Sequence, residues 1–446
     1  MSDGTRIVVQ PSLKSLTTYI LIEQRRWFEK EWPFVLQFVR PGMTFVDIGA
    51  NVGVYSLAVA RAVGLTGRVL SFEPSATARG QLLEGRALNH LTNMEVVDAA
   101  ASNYVGTGAL SEPTDTEFGG LAKGGSLPVR VTTLDTEFFG RNMLTVDFLK
   151  IDVEGHELAV LEGATRVLTE QSPLVMFEIG PEDRPGHSQS ASYLLSLGYH
   201  LFRLLGPSSV LGPYRFGDRI DGWELNLFAA KGPRAAELEA QGLLATRVES
   251  WQRPSSGSPA VLRSTFAAHF DWGTSPRILI DALLAYDAWR DEDNGPSRRL
   301  GALAFSFHAL SELCKRQPTA PRLSSLSRVA IEFGHRTRAI GALKSILDLA
   351  EQRRMFLNEP FWPPAPHFDD LSPAPDPNDW FLASVVDQFE RSRFFSSRDA
   401  AEGSSLSWLL TTPYASEEMH RRHDLIGRRS SGDLGDLTAE DATDAT

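Results

Sequence analysis

The chain has 446 residues, of which 42% are hydrophobic and 22% are charged, a composition typical of a folded protein with two or three domains. Its net charge of −12 argues against a nucleic-acid-binding surface, because neutralising phosphates requires a basic face. Cys314 is the one cysteine, which excludes a disulfide within the chain and a zinc site made of several thiolates.

The first 40 residues are predicted to form a helical leader. Apolar residues have helical spacing over 17–38, with an interruption near Pro33 and an end before Pro41. The N-terminus shows no basic stretch followed by a long apolar core, and the chain has no apolar run of about 18 residues. We therefore expect a cytoplasmic protein without membrane contacts.

Residues 41–231 alternate between short apolar runs and helical patterns. This alternation predicts an α/β domain, namely a Rossmann-like, doubly wound, mostly parallel seven-stranded sheet. The segment Asn103–Arg130 is rich in Gly, Thr and Ser and is predicted to be a loop or hairpin insertion. The last two strands, joined by a short connection through Gly212 and Pro213, are predicted to form an antiparallel edge pair. The predicted strands are Thr44–Ile48, Arg68–Phe72, Met94–Asp98, Phe148–Ile151, Leu174–Ile179, Tyr199–Leu204 and Glu224–Ala229.

The composition changes after Lys231. Residues 232–276 look like a linker, and residues 277–400 have the pattern of a mainly α-helical accessory domain. Two amphipathic helices that flank Gly334 weakly resemble one tetratricopeptide unit. This helical region is a candidate surface for a homodimer or a protein partner. Residues 401–446 are predicted to be a C-terminal segment that ends in a disordered acidic tail.

The first chemical motif is the sequence DIGANVG, at the end of the first strand. Gly49 and Gly53 allow a sharp turn and a close approach of the backbone to a ligand. The loop lacks the three-glycine spacing of a dinucleotide site and begins with the carboxylate of Asp47. A cofactor with a sulfonium and an ammonium group, such as S-adenosylmethionine, suits this acid, with the backbone of Gly49, Ala50 and Asn51 around its amino-acid end. The alternative is that Asp47 is buried and satisfied by backbone donors.

Two further strand ends carry candidate cofactor ligands. Glu73 follows the second strand at the distance where a carboxylate accepts hydrogen bonds from both ribose hydroxyls. Pro74 also fits the alternative that Glu73 is an acid at the start of a helix. After the third strand, Asp98 and Ala99 are placed to flank adenine, with Asp98 as an acceptor for its amino group.

The sequence KIDVEGHE, where the fourth strand meets a helix, supplies the candidate catalytic residues. Ligands in such sheets bind beyond the carboxyl ends of the strands, so Asp152 and Glu154 should emerge beside the reacting centre. Four ionisable side chains within six residues are too many for an ordinary turn.

Together these three motifs resemble the FkbM-type methyltransferases. Further points of resemblance are Trp27 and Glu31 in the leader, Thr133-Leu134-Asp135, and Glu178 after the fifth strand. The resemblance covers about residues 17–230. It implies S-adenosylmethionine as cofactor and O-methylation of a polyketide, sugar or glycan-like acceptor.

Such a reaction needs a group that removes the hydroxyl proton. Asp152 and His156 are the candidate bases, and Asp152 is the first choice for an essential residue. Asp152 and Glu178 lie at the ends of adjacent predicted strands, so a divalent cation is an alternative there. Hydrogen bonding to substrate or backbone is the favoured role of these two acids, so no metal ligand is assigned.

Three other functions compete with this one. A nicotinamide-dependent oxidoreductase is disfavoured by the missing third glycine and by the KIDVEGHE cluster. A catalytically silent cofactor-binding scaffold would act through the helical C-terminal region, but the intact acidic and glycine positions argue against it. Methylation of a protein acceptor is the third alternative.

Overall fold

The fold is built around one large mixed sheet. The computed structural model describes residues 1–111, 125–141, 143, 145–179, 187–206, 210–253, 275–373, 376–400 and 404–430. Its strands in chain order are β1 (Thr44–Ile48), β2 (Arg68–Phe72), β3 (Met94–Val97), β4 (Ala100–Ala101), β5 (Gly106–Leu110), β6 (Leu127–Thr132), β7 (Phe148–Ile151), β8 (Leu174–Glu178), β9 (His200–Leu205), β10 (Val210–Pro213) and β11 (Asn226–Ala230).

The large sheet has eight strands in the order β10-β9-β11-β8-β7-β1-β2-β3. β3, β2, β1, β7 and β8 run parallel, and β11 is antiparallel to both β8 and β9. All five residues of β1 are buried, as expected for a central parallel strand with both faces covered. This confirms the predicted Rossmann-like, doubly wound fold. From β1 the chain builds outward to β2 and β3, then returns to β7 on the other side of β1, which creates a topological switch point.

The predicted count of seven strands is wrong by one, because β10 is an additional short strand. Its residues include Gly212 and Pro213, which the sequence analysis assigned to a short connection. Proline in a strand is compatible with an edge position, where no neighbour needs its missing N–H. The predicted antiparallel pairing of the last two strands is observed between β9 and β11, with Phe228 opposite Phe202.

The insertion between β3 and β7 contains a hairpin, as predicted. β5 and β6 pair antiparallel, and β4 joins β6 in a separate three-stranded sheet of order β4-β6-β5. The middle of the predicted insertion, residues 112–124, lies outside the described residues.

Nine helices are described up to residue 241. They are α1 (Leu16–Gln24), α2 (Glu31–Phe38), α3 (Val54–Val63), α4 (Ala76–Leu88), α5 (Leu134–Gly140), α6 (Glu157–Glu162), α7 (Thr165–Glu170), α8 (His187–Ser196) and α9 (Gly232–Ala240). α9 occupies the first part of the segment predicted to be a linker.

The leader is two helices, and the predicted break near Pro33 is misplaced. α1 ends where Arg25 adopts a left-handed conformation, with φ of 56°. Pro33 lies in the first turn of α2, where a missing N–H costs no intrahelical hydrogen bond. Pro33 therefore belongs to the beginning of a helix and does not interrupt one.

The chain divides into two compact units. The first comprises the described residues of Met1–Leu204 and Pro213–Gln241, and the second those of Leu205–Gly212 and 242–430. No helix among the described residues is both long and apolar enough to cross a membrane.

The second unit is mainly helical. Its helices are α10 (Arg277–Arg290), α11 (Pro296–Arg316), α12 (Ala320–Glu332), α13 (Arg336–Glu351), α14 (Pro377–Ser392), α15 (Ser404–Leu409) and α16 (Glu417–Ser430), with short 3₁₀ helices at Pro366–Asp370 and Ser397–Asp399. The predicted helix pair around Gly334 is α12 and α13. Trp289, Trp362 and Trp380 are fully buried in the core of this unit. The predicted acidic tail, residues 430–446, lies almost entirely outside the described residues.

Candidate active site

The turn between β1 and α3 depends on its glycines. Gly49 and Gly53 have φ of +83° and +90°, and a Cβ at position 49 would lie 1.8 Å from the carbonyl oxygen of Asp152. A Cβ at position 53 would lie 2.1 Å from Cδ1 of Leu82. Asn51 between them is also left-handed, with φ of 49°. Only glycine therefore fits at 49, where a side chain would meet the main chain of Asp152, and the positive φ at 53 also favours glycine. The turn packs closely against the end of β7.

Glu73 lies at the end of β2 and faces the same turn. Its two carboxylate oxygens accept hydrogen bonds from the backbone N–H groups of Asn51 (2.7 Å) and Ser75 (2.8 Å). Burial raises the pKa of Glu73 to about 7, although both backbone hydrogen bonds lower it. Each carboxylate oxygen has more than one acceptor position, so Glu73 can still accept hydrogen bonds from two hydroxyls of a ligand.

The residues after β3 divide between surface and interior. The side chain of Asp98 is 69% exposed, and its carboxylate pairs with the guanidinium of Arg79 at 2.8 Å. Ala99 is buried and lines a cavity with Ala100 and Ala101. The wall beside the β3 end is thus apolar, and Asp98 is not among the residues that line the cavity.

Asp47 is buried, with 1% of its surface exposed. Its Oδ2 accepts a hydrogen bond from the hydroxyl of Ser56 at 2.5 Å, and its Oδ1 is 3.5 Å from Nζ of Lys150. Oδ1 has no hydrogen-bond partner within the described residues. The side chain of Asp47 is anchored by the Ser56 hydroxyl and by Lys150, and it lies outside the lining of the cavity described below.

Lys150 connects Asp47 with Asp152. The backbone register places Lys150 directly opposite Asp47 on neighbouring parallel strands, and Nζ lies 2.9 Å from Oδ2 of Asp152. Burial alone would lower the pKa of Lys150, but the carboxylates of Asp152 and Asp47 raise it above its ordinary value. The lysine is therefore a buried cation between two acids. The sequence analysis did not single it out, although a lysine within an apolar strand was a visible signal.

Glu29 and Tyr55 extend this charged group. The phenol of Tyr55 donates to Oε2 of Glu29 at 2.6 Å, and Nζ of Lys150 lies 5.1 Å from the Tyr55 ring centroid. Burial, followed by the charge of Asp152, raises the pKa of Glu29. Neither residue was predicted, because their proximity to Asp152 depends on how the leader packs.

The turn after β7 presents three of the predicted side chains. Asp152 is 34% exposed, and Glu154 has a left-handed backbone with φ of 54°. The carboxylate of Glu157 accepts a hydrogen bond from the Gly155 N–H at 3.0 Å, which fixes the turn. Nε2 of His156 lies 2.9 Å from the Ser102 hydroxyl. Burial lowers the pKa of His156, against an opposing effect of Glu157, so the imidazole is neutral at pH 7.

Three acids at this edge of the sheet converge. One carboxylate oxygen from each of Asp152, Glu154 and Glu178 lies within 4.8 Å of the others. Such a set of oxygen atoms is of the kind that Mg²⁺ or Ca²⁺ prefers. Glu154 adds a third acid to the pair considered from the sequence. These residues could hold a cation, but the ammonium of Lys150 already offsets part of their charge.

Among the other residues of the resemblance, Thr133 and Asp135 have local structural partners. Thr133 caps α5 by accepting from the Thr136 N–H, and Asp135 accepts from the backbone N–H groups of Arg166 and Val167, both at 2.9 Å. Glu31 is buried, and burial raises its pKa to about 8. These contacts position the elements around the site and do not place Thr133 or Asp135 in it.

A cavity of about 750 Å³ lies beyond the carboxyl ends of β1, β2 and β7, at the topological switch point. Its lining joins most of the predicted residues with the N-terminal segment and the hairpin. The polar and turn residues of the lining are Gln10, Ser12, Lys14, Ser15, Thr17, Gly49, Asn51, Glu73, Ser75, Thr77, Gln81, Ser111, Asp152, Glu154 and His156. The cavity is thus of a size typical of small-molecule sites.

Part of this domain is similar to known proteins. Residues 47–201 match the family model described as Methyltransferase FkbM domain, which confirms the resemblance predicted from the sequence. Methyltransferase sdnD of Sordaria araneosa is 28% identical over 153 residues, which cover 26% of this chain and 59% of that relative. The chain therefore spans less than two thirds of the length of this curated relative.

Solved structures also resemble the chain. Methyltransferase FkbM from Methylobacillus flagellatus KT is 19% identical, and the alignment covers 46% of this chain and 48% of that protein's chain, with a TM-score of 0.32. An S-adenosylmethionine-dependent O-methyltransferase from Thermotoga maritima is 16% identical, and the alignment covers 48% of this chain and 70% of that protein's chain, with a TM-score of 0.30.

Proposed function

We propose that this chain, whose residues 47–201 match the FkbM methyltransferase domain, transfers a methyl group from S-adenosylmethionine to a hydroxyl oxygen. The observation that carries the proposal is the placement of Glu73 and Asp152 on one cavity, at the ends of β2 and β7, which flank β1 and the Gly49–Gly53 turn that follows it. The acceptor class that we propose is a sugar, glycan or polyketide-like molecule.

The residues of the cavity fit this cofactor. Glu73 retains acceptor positions for both ribose hydroxyls, and the buried alanines after β3 offer an apolar surface to a purine. Gly49 and Asn51 line the same cavity as Glu73 and Asp152, and we assign the amino-acid end of the cofactor to this part of the wall. Asp152 puts a carboxylate on the cavity wall, where it can attract the positively charged sulfur of the cofactor. We assign Asp47 an indirect role, because it does not line the cavity and its carboxylate contacts Ser56 and Lys150.

When bound, the cofactor supplies a methyl group on a positively charged sulfur. The protein must then align the acceptor oxygen, exclude water and remove one proton. Alignment of this kind can lower a barrier by about 7–11 kcal/mol. Asp152 forms a fixed part of the cavity wall, since the buried Lys150 holds its carboxylate in place at 2.9 Å.

The acceptor proton needs a base at the cavity wall. Neutral His156 can accept it at Nδ1 when Nε2 donates to the Ser102 hydroxyl 2.9 Å away, and burial keeps its pKa below the ordinary value. Asp152 is the alternative base. In either case the O–H bond of the acceptor would break and its proton would move to the side chain, while the oxygen–methyl bond would form as the methyl–sulfur bond breaks and leaves its electron pair on an uncharged sulfur.

Calorimetry with the full chain tests the cofactor assignment directly. We expect S-adenosylhomocysteine to bind with micromolar affinity and Glu73→Gln to weaken it about 10-fold, because the amide accepts with only one atom. The matched control is Glu84→Gln, an exposed position on α4. A folded wild-type protein that binds neither this nucleoside nor S-adenosylmethionine would refute the proposal. Tight binding without methyl transfer to any fraction of a cell extract would instead favour a silent scaffold.

A further inference from the structure

The cavity wall is unevenly charged. Three carboxylates line it, those of Glu73, Asp152 and Glu154, whereas Lys14 is the one lysine or arginine among the described lining residues. His156 adds no positive charge at neutral pH, because burial lowers its pKa. Several acidic side chains of the wall can therefore bind a positive group of a ligand, whereas Lys14 alone among the described lining residues can bind a negative group.

The N-terminal segment that contributes Lys14 is held in place by specific contacts. The backbone of Arg6 exchanges two hydrogen bonds with the side-chain amide of Asn89, at 3.0 and 2.6 Å. The hydroxyl of Thr18 donates to the carbonyl of Gln10 at 2.7 Å, and Leu13 is buried. These contacts fix the backbone on both sides of Lys14, so its position at the cavity is part of the folded domain.

The ammonium of Lys14 is available to a ligand. Its side chain is exposed, and its backbone N–H bonds to the Ser12 hydroxyl at 3.3 Å. In the described part of the chain no acidic group forms an ion pair with this lysine. By contrast, Lys150 is buried between two carboxylates and is not available to a ligand anion.

We propose that Lys14 binds the carboxylate of the methionine part of the cofactor. This inference rests on the proposed function and adds a residue that the motifs did not contain. The cofactor's amino-acid end carries one carboxylate, which the acidic side chains of this wall do not attract, whereas the ammonium of Lys14 does. The N-terminal segment thereby makes the site selective for the intact amino-acid group.

The test compares two ligands that differ only in this carboxylate. S-adenosylmethionine and decarboxylated S-adenosylmethionine share the nucleoside, the sulfonium and the amine. Calorimetry would measure both ligands against wild type, Lys14→Met and Lys14→Arg in the full chain. The matched control is Lys315→Met, an exposed lysine on α11.

We expect Lys14→Met to weaken S-adenosylmethionine about 5- to 20-fold and to change the decarboxylated ligand less than about 2-fold. Lys14→Arg should retain most of the preference, since it keeps the charge, and Lys315→Met should match wild type. Equal losses for both ligands, or no loss for either, would overturn the role of Lys14 while leaving the proposed function intact. Failure of wild type to bind either ligand would overturn both.

Discussion

The α-carbon of Gly49 faces the backbone carbonyl of Asp152 so closely that a methyl group at position 49 would lie 1.8 Å from that oxygen. The turn that begins the cofactor site and the turn that carries the proposed catalytic acid therefore touch through their main chains. Neither can shift without the other, because a backbone carbonyl has no alternative rotamer.

Gly49→Ala should abolish nucleoside binding. The added methyl must displace one of the two turns, and we expect an affinity loss of more than about 100-fold, measured by calorimetry with S-adenosylhomocysteine. Gly217→Ala is the matched control, since Gly217 also has a positive φ, +94°, but nothing within 4 Å of the methyl group that alanine would add. Both variants carry a similar backbone strain of about 1–2 kcal/mol, so a comparable loss in both would show that the contact with Asp152 is unimportant.

Lys150→Met should destabilise the first unit substantially. Removal of the cation leaves two acids, Asp47 and Asp152, close together without compensation, and breaking such a buried pair costs about 3–5 kcal/mol. Scanning calorimetry would measure the effect as a lower melting temperature. Lys344→Met, at an exposed position of α13, is the control and should melt like wild type. Identical melting of both variants would contradict the buried ion pair.

Glu31→Gln should change how stability depends on pH. Burial raises the pKa of Glu31 from 4.5 to about 8, so the folded protein retains a proton that the unfolded chain releases between these values. The stability that this group contributes is present below about pH 4.5 and is lost as the pH rises through 8. A glutamine has no proton to lose. The melting temperature of the variant minus that of wild type should therefore increase from pH 5 to pH 8. A difference that stays constant with pH would refute the raised pKa of Glu31.

Asp152→Asn and His156→Ala should separate binding from catalysis. With labelled S-adenosylmethionine and an extract fraction that accepts methyl groups, we expect Asp152→Asn to lose more than about 100-fold in transfer rate. His156→Ala should lose about 10²- to 10⁴-fold if the imidazole is the base. Affinity for S-adenosylhomocysteine, which lacks the sulfonium charge, should fall less than about 5-fold in both. Unchanged turnover in both variants would remove the catalytic assignment.

Chelation should leave methyl transfer unchanged. The acids Asp152, Glu154 and Glu178 converge within 4.8 Å, but Lys150 supplies positive charge to this cluster from within the protein. We therefore expect the rate in the presence of EDTA to match the rate with added Mg²⁺. A rate that is lost on chelation and restored by Mg²⁺ would instead assign these three residues as metal ligands.

Periodicity predicted the central strands well, because each is a short apolar run bounded by turn residues. β1, β2 and β7 begin and end where the sequence analysis placed them. The break in the leader was misplaced because the same residue, Pro33, is compatible with starting or ending a helix, and only the local backbone at Arg25 decides which.

The candidate site was predictable where it depends on strand ends and not where it depends on packing. Glu73, Asp152 and His156 meet at one cavity because parallel strands end at the same edge of a sheet. Lys14 and Glu29 reach the site from the leader, and no periodicity in the sequence indicates where that leader packs. The predicted use of the helical region for a partner or a homodimer remains a prediction.

The pairing of Asp47 with Lys150 across β1 and β7 also has a consequence for assembly. Since side chains alternate between the two faces of a strand, a shift of one residue would move the lysine to the opposite face, among apolar groups and away from both carboxylates. Misaligned versions of the sheet would then contain unneutralised charges in a dry interior. The pair thus favours the observed register of β7 against β1 over registers shifted by one residue.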